Sequence, residues 1–142
     1  MSDFLTMPGY LIRRAHQAAT ARFAEEMSKA GLTLTPFQYA ALSAIAAQPG
    51  LDQARVAQMA DCDRATMGGV LDRLVERGLV ERGVSRKDRR ARVLHLTESG
   101  LALLDAARPV AEAVQRSLTE GMTDAERAIL TDLLSRIAGR RA

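Results

Sequence analysis

Apolar residues recur at steps of three and four along most of the chain and switch to alternation in only one place. From about Tyr10 to Ala30, Leu11, Ile12, Ala15, Ala18, Ala19 and Phe23 fall on one side of a helical wheel, and Gly31 ends the run. Leu34-Thr35-Pro36-Phe37-Gln38 opens the next helix. Thr35 caps it, Pro36 takes the first turn, where a missing amide is harmless, and Gln38 completes a capping box. Phe37, Tyr39, Ala40, Leu42, Ile45 and Ala46 supply its core and edge positions until Pro49-Gly50. Near the other end, Thr97 caps a long helix with a seam of Leu101, Leu104, Ala107, Ala111, Val114 and Leu118, which Pro109 should bend or interrupt and Gly121 ends. That seam is longer than packing inside a small domain requires, so part of it is expected to meet a partner chain. Thr123-Asp124-Ala125-Glu126 is a second capping box. The last helix is expected to bury Ile129, Leu130, Leu133, Leu134 and Ile137 before Gly139-Arg140-Arg141.

Between these helices, the stretch from Leu51 to Gly100 has its own organisation. Asp52 caps a short helix whose apolar positions are Val56, Met59 and Ala60, and Ala60-Asp61-Cys62 make a turn. Asp63 caps a second helix carrying Val70, Leu71 and Leu74, and Gly78 tolerates a left-handed end. Two short helices joined by a tight turn are a helix-turn-helix, whose second member normally enters a DNA major groove. The period then becomes two: residues 79–83 and 92–96 read as strands around a polar tip from Val84 to Ala91. The predicted fold is mainly α with a small β-wing.

Charge sharpens this picture. The chain carries a net charge of +3, yet the segment from Arg73 to Arg92 holds eight Lys or Arg against three Asp or Glu. The remainder is therefore slightly acidic, and so local an excess suits a polyanion approached from one side. On the second helix, Arg64, Thr66, Met67 and Arg73 are the candidate DNA contacts. On the wing they are Arg86, Lys87, Arg89 and Arg90, with one of the last two expected to be held by Asp88 or the wing's own backbone.

Composition bounds the alternatives. With 142 residues, 47% of them hydrophobic, the chain has enough apolar material for one core. Its 4% aromatic content and lack of Trp disfavour a binder that stacks single-stranded bases on rings. The lone Cys62 excludes an internal disulfide and a Cys-based zinc site, and no apolar run is long enough to span a membrane, which points to the cytoplasm. His16 and His95 have no metal partners at ligand spacing, and neither a phosphate loop nor a nucleophile motif occurs. No enzyme activity, metal or cofactor is implied. A redox role for Cys62, its thiolate favoured by the free amides of the following helix, and a winged helix that binds only protein are the rival readings.

The chain resembles the MarR family of winged helix-turn-helix transcription regulators. The resemblance rests on Asp63-Arg64-Ala65-Thr66, on Leu74-Val75-Glu76-Arg77-Gly78-Leu79-Val80-Glu81-Arg82, on Asp88-Arg89-Arg90-Ala91 and on Leu96-Thr97-Glu98-Ser99-Gly100. It implies a single domain, with residues 35–96 as the winged helix-turn-helix and residues 7–31 and 97–139 as dimerisation helices. It further implies a homodimer on a palindromic double-stranded operator, acting as a repressor. Gly68 and Gly69 depart from the pattern, standing where larger polar residues would usually read bases. Near Tyr10-Leu11-Ile12-Arg13-Arg14-Ala15-His16-Gln17 the chain is similar to members that answer to aromatic acids. Two readings stand there: solvated arginines beside a partly buried histidine, or Arg13 or Arg14 with His16 holding a small anionic aromatic effector.

Overall fold

The structure, a computed structural model, describes residues 3–90 and 92–139; Ala91, Arg140 and Arg141 of the stretches discussed above lie outside the described residues. After a 3-10 turn at Asp3–Thr6 come α1 (Pro8–Lys29), α2 (Pro36–Ala47), α3 (Gln53–Met59) and α4 (Arg64–Glu76). The hairpin strands β1 (Val80–Val84) and β2 (Arg92–Leu96) follow, then α5 (Glu98–Leu118) and α6 (Asp124–Ala138). The helix starts expected from residue type form as expected. Thr35 and Gln38 exchange both bonds of a capping box, as do Thr123 and Glu126, while Thr97 caps α5 through the Gly100 amide.

The core is built around α2, which packs against α3, α4, α5 and β2. Leu42 and Ile45 of α2, Val56 of α3, Leu71 and Leu74 of α4 and Leu104 of α5 have no exposed surface. The hairpin is antiparallel with Val80 opposite Leu96 and Val84 opposite Arg92. A feature absent from the sequence reading joins it: Leu51 bridges Leu94, so β2 is gripped on its second edge as well. Phe37 and Met59, expected at core or edge positions, are largely exposed, at 42% and 39%.

The outer helices are covered differently from what periodicity alone predicts. The central seam of α5 is buried within the chain itself: Gly100, Leu104, Ala107, Ala111 and Val114 are buried, and α5 packs against α1, α2 and β2. Leu101, the first member of the expected seam, is instead 47% exposed. Pro109 does not interrupt α5, which runs continuously through it. Conversely, α6 buries none of its residues: Ile129, Leu133, Leu134 and Ile137 are 45–64% exposed and Leu130 is half-buried. The first half of α1 is similarly open, with Leu11, Ile12, Ala15 and Ala18 exposed and only Phe23 and Met27 seated in the core.

One close approach holds the reading elements to α5. Gly78, at φ +72°, reverses the chain after α4, and the Thr97 hydroxyl donates to its carbonyl at 2.6 Å. The Thr97 amide donates to the Leu79 carbonyl at 3.1 Å. A Cβ at position 100 would collide with that same carbonyl oxygen. Backbone cannot yield as a flexible side chain can, so Gly100→Ala is expected to destabilise the fold by about 3 kcal/mol. Denaturant unfolding at fixed protein concentration measures this, and a midpoint unchanged from the parent would show that the joint can open at no cost.

Candidate nucleic-acid interface

The helix-turn-helix is closed by short backbone bonds. The Cys62 amide donates to the Ala57 carbonyl at 2.9 Å, and Asp61 takes a left-handed conformation at φ +53°, which aspartate tolerates better than most residues. Asp63 then caps α4 with both carboxylate oxygens. Oδ1 accepts the Thr66 amide at 2.7 Å and Oδ2 accepts the Thr66 hydroxyl at 2.7 Å. An ionised carboxylate only accepts, so the Thr66 hydroxyl has spent its proton on the cap and turns only lone pairs outward.

Met67, Leu71 and Leu74 form the buried side of α4. Met67 therefore leaves the list of DNA contacts: its side chain has no exposed surface, because steps of four and three place it on the stripe that packs into the core. Arg64, Thr66 and Arg73 are exposed, and Thr66 and Arg73, seven residues apart, share a face. Between them the helix is nearly bare. A Cβ on Gly69 would meet nothing within 4 Å, whereas one on Gly68 would press on the Gln53 side chain at 3.1 Å.

The wing tip is shaped by two short side chains. Ser85 Oγ accepts the Lys87 amide at 3.2 Å, and Asp88 Oδ1 accepts the Arg90 amide at 2.9 Å. Asp88 thus holds the backbone of Arg90, and no ion pair among the described residues takes the guanidinium of either Arg89 or Arg90. Arg90 is therefore the member of the pair that Asp88 holds, through its main chain, and both side chains are exposed, as are Arg86 and Lys87. Two other cations of the basic segment are engaged. Arg77 donates to the Thr33 carbonyl at 2.8 Å, and Arg82 pairs with Asp72 at 2.6 Å.

Sequence reasoning missed Arg55. It is exposed on α3, and it lines a cleft of about 540 Å3 with Asp52, Gln58, Cys62, Asp63 and Arg64. The signal lay in its position three residues after a cap on the first helix of the motif, the helix that crosses a DNA backbone in such folds. Cys62 in the same cleft does not favour a thiolate. Burial, then the charges of Asp63 and Asp61, push its thiol above the usual range, which runs against the activation expected from the neighbouring amides.

The candidate effector residues lie on the open half of α1. Arg13, Arg14 and His16 are all exposed, so His16 is not the partly buried histidine of the blander reading. The Arg13 guanidinium lies 5.6 Å from the centre of the Tyr10 ring. Arg13 and His16 are one turn apart on the same side of the helix, while Arg14 falls on the far side from His16. Among the described residues no cluster of His, Cys, Asp and Glu is arranged to hold a metal, and no helix is long and apolar enough to cross a membrane.

Residues 30–91 match the profile of the MarR family. The chain is 33% identical over 135 residues to the HTH-type transcriptional repressor NicR of Pseudomonas putida, covering 95% of this chain and 84% of NicR. Its structure superposes on that of Bordetella bronchiseptica BpsR, whose DNA binding is regulated by 6-hydroxynicotinic acid, with a TM-score of 0.90, 30% identity and 99% of each chain covered. It also superposes on a transcriptional repressor, CouR, bound to a 23-mer DNA duplex, with a TM-score of 0.89, 31% identity and 98% and 97% of the two chains covered.

The Asp63 cap carries a signed pH dependence. The Thr66 amide, then the Thr66 hydroxyl, hold the Asp63 carboxyl below its ordinary range. A carboxyl whose folded value lies below its unfolded value, about 4, stabilises fully above that pH and loses its effect as acid titrates the folded form. Asp63→Ala is therefore expected to melt a few degrees below the parent at neutral pH, with the two converging below about pH 4. Thermal denaturation by circular dichroism across pH checks this, and a gap that persists in acid would exclude the carboxylate as its source.

Proposed function

The chain belongs to the MarR family of winged-helix transcriptional regulators, and from that premise we propose that it is a dimeric repressor released from its operator by a small aromatic carboxylate. The observation that carries the DNA-binding part is the exposed, unpaired positive charge of the wing tip beside a capped and accessible α4. In this reading residues 35–96 are the reading head. Each α4 enters the major groove of one half-site, and the wing reaches phosphates or the adjacent minor groove. Two such heads related by a two-fold axis call for an imperfect palindrome with half-sites about 10 bp apart.

Arg64 and Arg73 contact bases or phosphates from α4, and Thr66 accepts from an exocyclic amino group, the only kind of partner its outward lone pairs suit. Arg86, Lys87, Arg89 and Arg90 act from the wing, and Arg55 adds a phosphate contact from α3. Residues 7–31 and 97–139 bring two copies together. The exposed apolar positions of α1 and α6, among them Leu11, Ile12, Ile129, Leu133, Leu134 and Ile137, support this, since patches of that kind mark interaction surfaces. The protein works in the cytoplasm, where its operator lies.

The effector reading draws on BpsR, which 6-hydroxynicotinic acid regulates. Arg13 with His16 can meet a carboxylate and a ring hydroxyl from one side of α1, and Arg14 can join only from elsewhere, such as a second chain. The rival of a winged helix that binds only protein has little use for so exposed a cluster of cations, and CouR, of the same fold, is bound to a duplex.

Replacing Arg89 and Arg90 with Ala is expected to weaken operator binding and to flatten the log–log salt dependence by about two units, one for each phosphate left unneutralised. A gel-shift series on a duplex selected from a random library measures the slope, and an unchanged slope would remove both residues from the interface. For the effector, 6-hydroxynicotinic acid and benzoic acid serve as probes. Release of DNA is expected with the parent and not with Arg13→Ala, Arg14→Ala or His16→Ala, at least one of which should keep its DNA affinity while losing the response. If all three respond as the parent does, the pocket is elsewhere.

A further inference from the structure

Five of the six ion pairs among the described residues join side chains three or four apart on one helix, where helical geometry alone brings them together. The sixth is of another kind. Asp72 Oδ1 meets Arg82 Nη2 at 2.6 Å across the turn that leads from α4 into the wing, and this pair depends on how the two elements are set against each other.

Its place is also electrostatically odd. Asp72 lies on the exposed side of α4, next to Arg73, so it offers a carboxylate toward the surface that the proposed function gives to a polyanion. Arg82 sits in the middle of β1 opposite Leu94, the residue at which Leu51 grips β2 from the other edge. The wing is therefore held at one level on both strands, by backbone bonds on β2 and by this side-chain pair on β1. The cationic tip lies beyond that level and moves with whatever angle the grip sets.

We propose that Asp72 is a positioning residue. By holding Arg82 it fixes the angle between the recognition helix and the wing, so that the tip reaches the duplex while α4 is seated in the groove. The inference rests on the reading that α4 and the wing bind one duplex together. It also takes Arg82 out of the set of phosphate contacts, although the sequence counts it in the basic segment.

The full-length Asp72→Asn protein separates this from simple electrostatics by the sign of its effect. Removing a negative charge from a surface that faces DNA should tighten binding if charge alone matters. If the pair positions the wing, operator affinity should fall by about fivefold, in the range of coupling seen between residues in contact. The melting temperature should stay within about 2 °C of the parent, because a pair this exposed contributes little to stability. The same substitution in a protein whose Arg89 and Arg90 are already Ala should cost less than about twofold, since the tip it positions has lost its grip. Exchanging the partners, Asp72→Arg with Arg82→Asp, should recover most of the affinity. Tighter or unchanged binding by Asp72→Asn, or a loss equally large without the tip arginines, would overturn the inference while leaving the proposed function in place. A parent protein that selects no duplex would overturn both.

Discussion

The reading elements depend on a joint made almost entirely of backbone. The Thr97 hydroxyl donates to the Gly78 carbonyl and accepts the Gly100 amide, so one side chain finishes α4 and starts α5. Leu79 sits between them, its amide bonded to the Leu74 carbonyl and its carbonyl to the Thr97 amide. Because Gly100 has no side chain, α5 lies directly against that peptide unit. Displacement of α5 is therefore passed to α4 and the wing through short directional bonds, with no layer of adjustable side chains to absorb it. Under the proposed effector response, an event among the outer helices would reach the reading head through this stiff connection.

The cations of the basic segment divide by what they touch. Arg77 closes onto the loop before α2, and Arg82 onto the recognition helix itself, so each links pieces of the fold. Those at the tip are held only through the backbone, by Ser85 and Asp88, and keep their side chains exposed. Formal charge along a sequence thus overstates what a surface presents. Here the overstatement falls on the stem of the wing and leaves the tip untouched.

The helix starts were legible because a cap requires particular residue types at fixed spacing: Thr35 with Gln38, Asp63 with Thr66, Thr123 with Glu126. Met67 was misplaced although its spacing to Leu71 and Leu74 carried the answer. The Leu51–Leu94 bridge was not legible, since a single backbone pairing leaves no alternation of side chains to read. Nor was the Asp72–Arg82 pair, which follows from the register of a turn. The apolar stripes of α1 and α6 show a third limit: periodicity says that a face is to be covered but not whether the same chain covers it. At the site, the wing's charge could be read directly, whereas the exposure of His16 and the raised thiol of Cys62 depended on neighbours brought in by folding.

The double bond of Thr66 to Asp63 has a consequence for the chemical polarity of recognition. As long as that carboxylate is ionised, the threonine oxygen is an acceptor on its outward side, and in the proposed reading it would discriminate between the amino edges of adenine or cytosine and the carbonyl edges of guanine or thymine. An amide in place of the carboxylate would offer the threonine oxygen a hydrogen instead of taking one, and would turn its proton outward. In that reading the alphabet available to this position is set by the capping carboxylate, a group that need never touch a base.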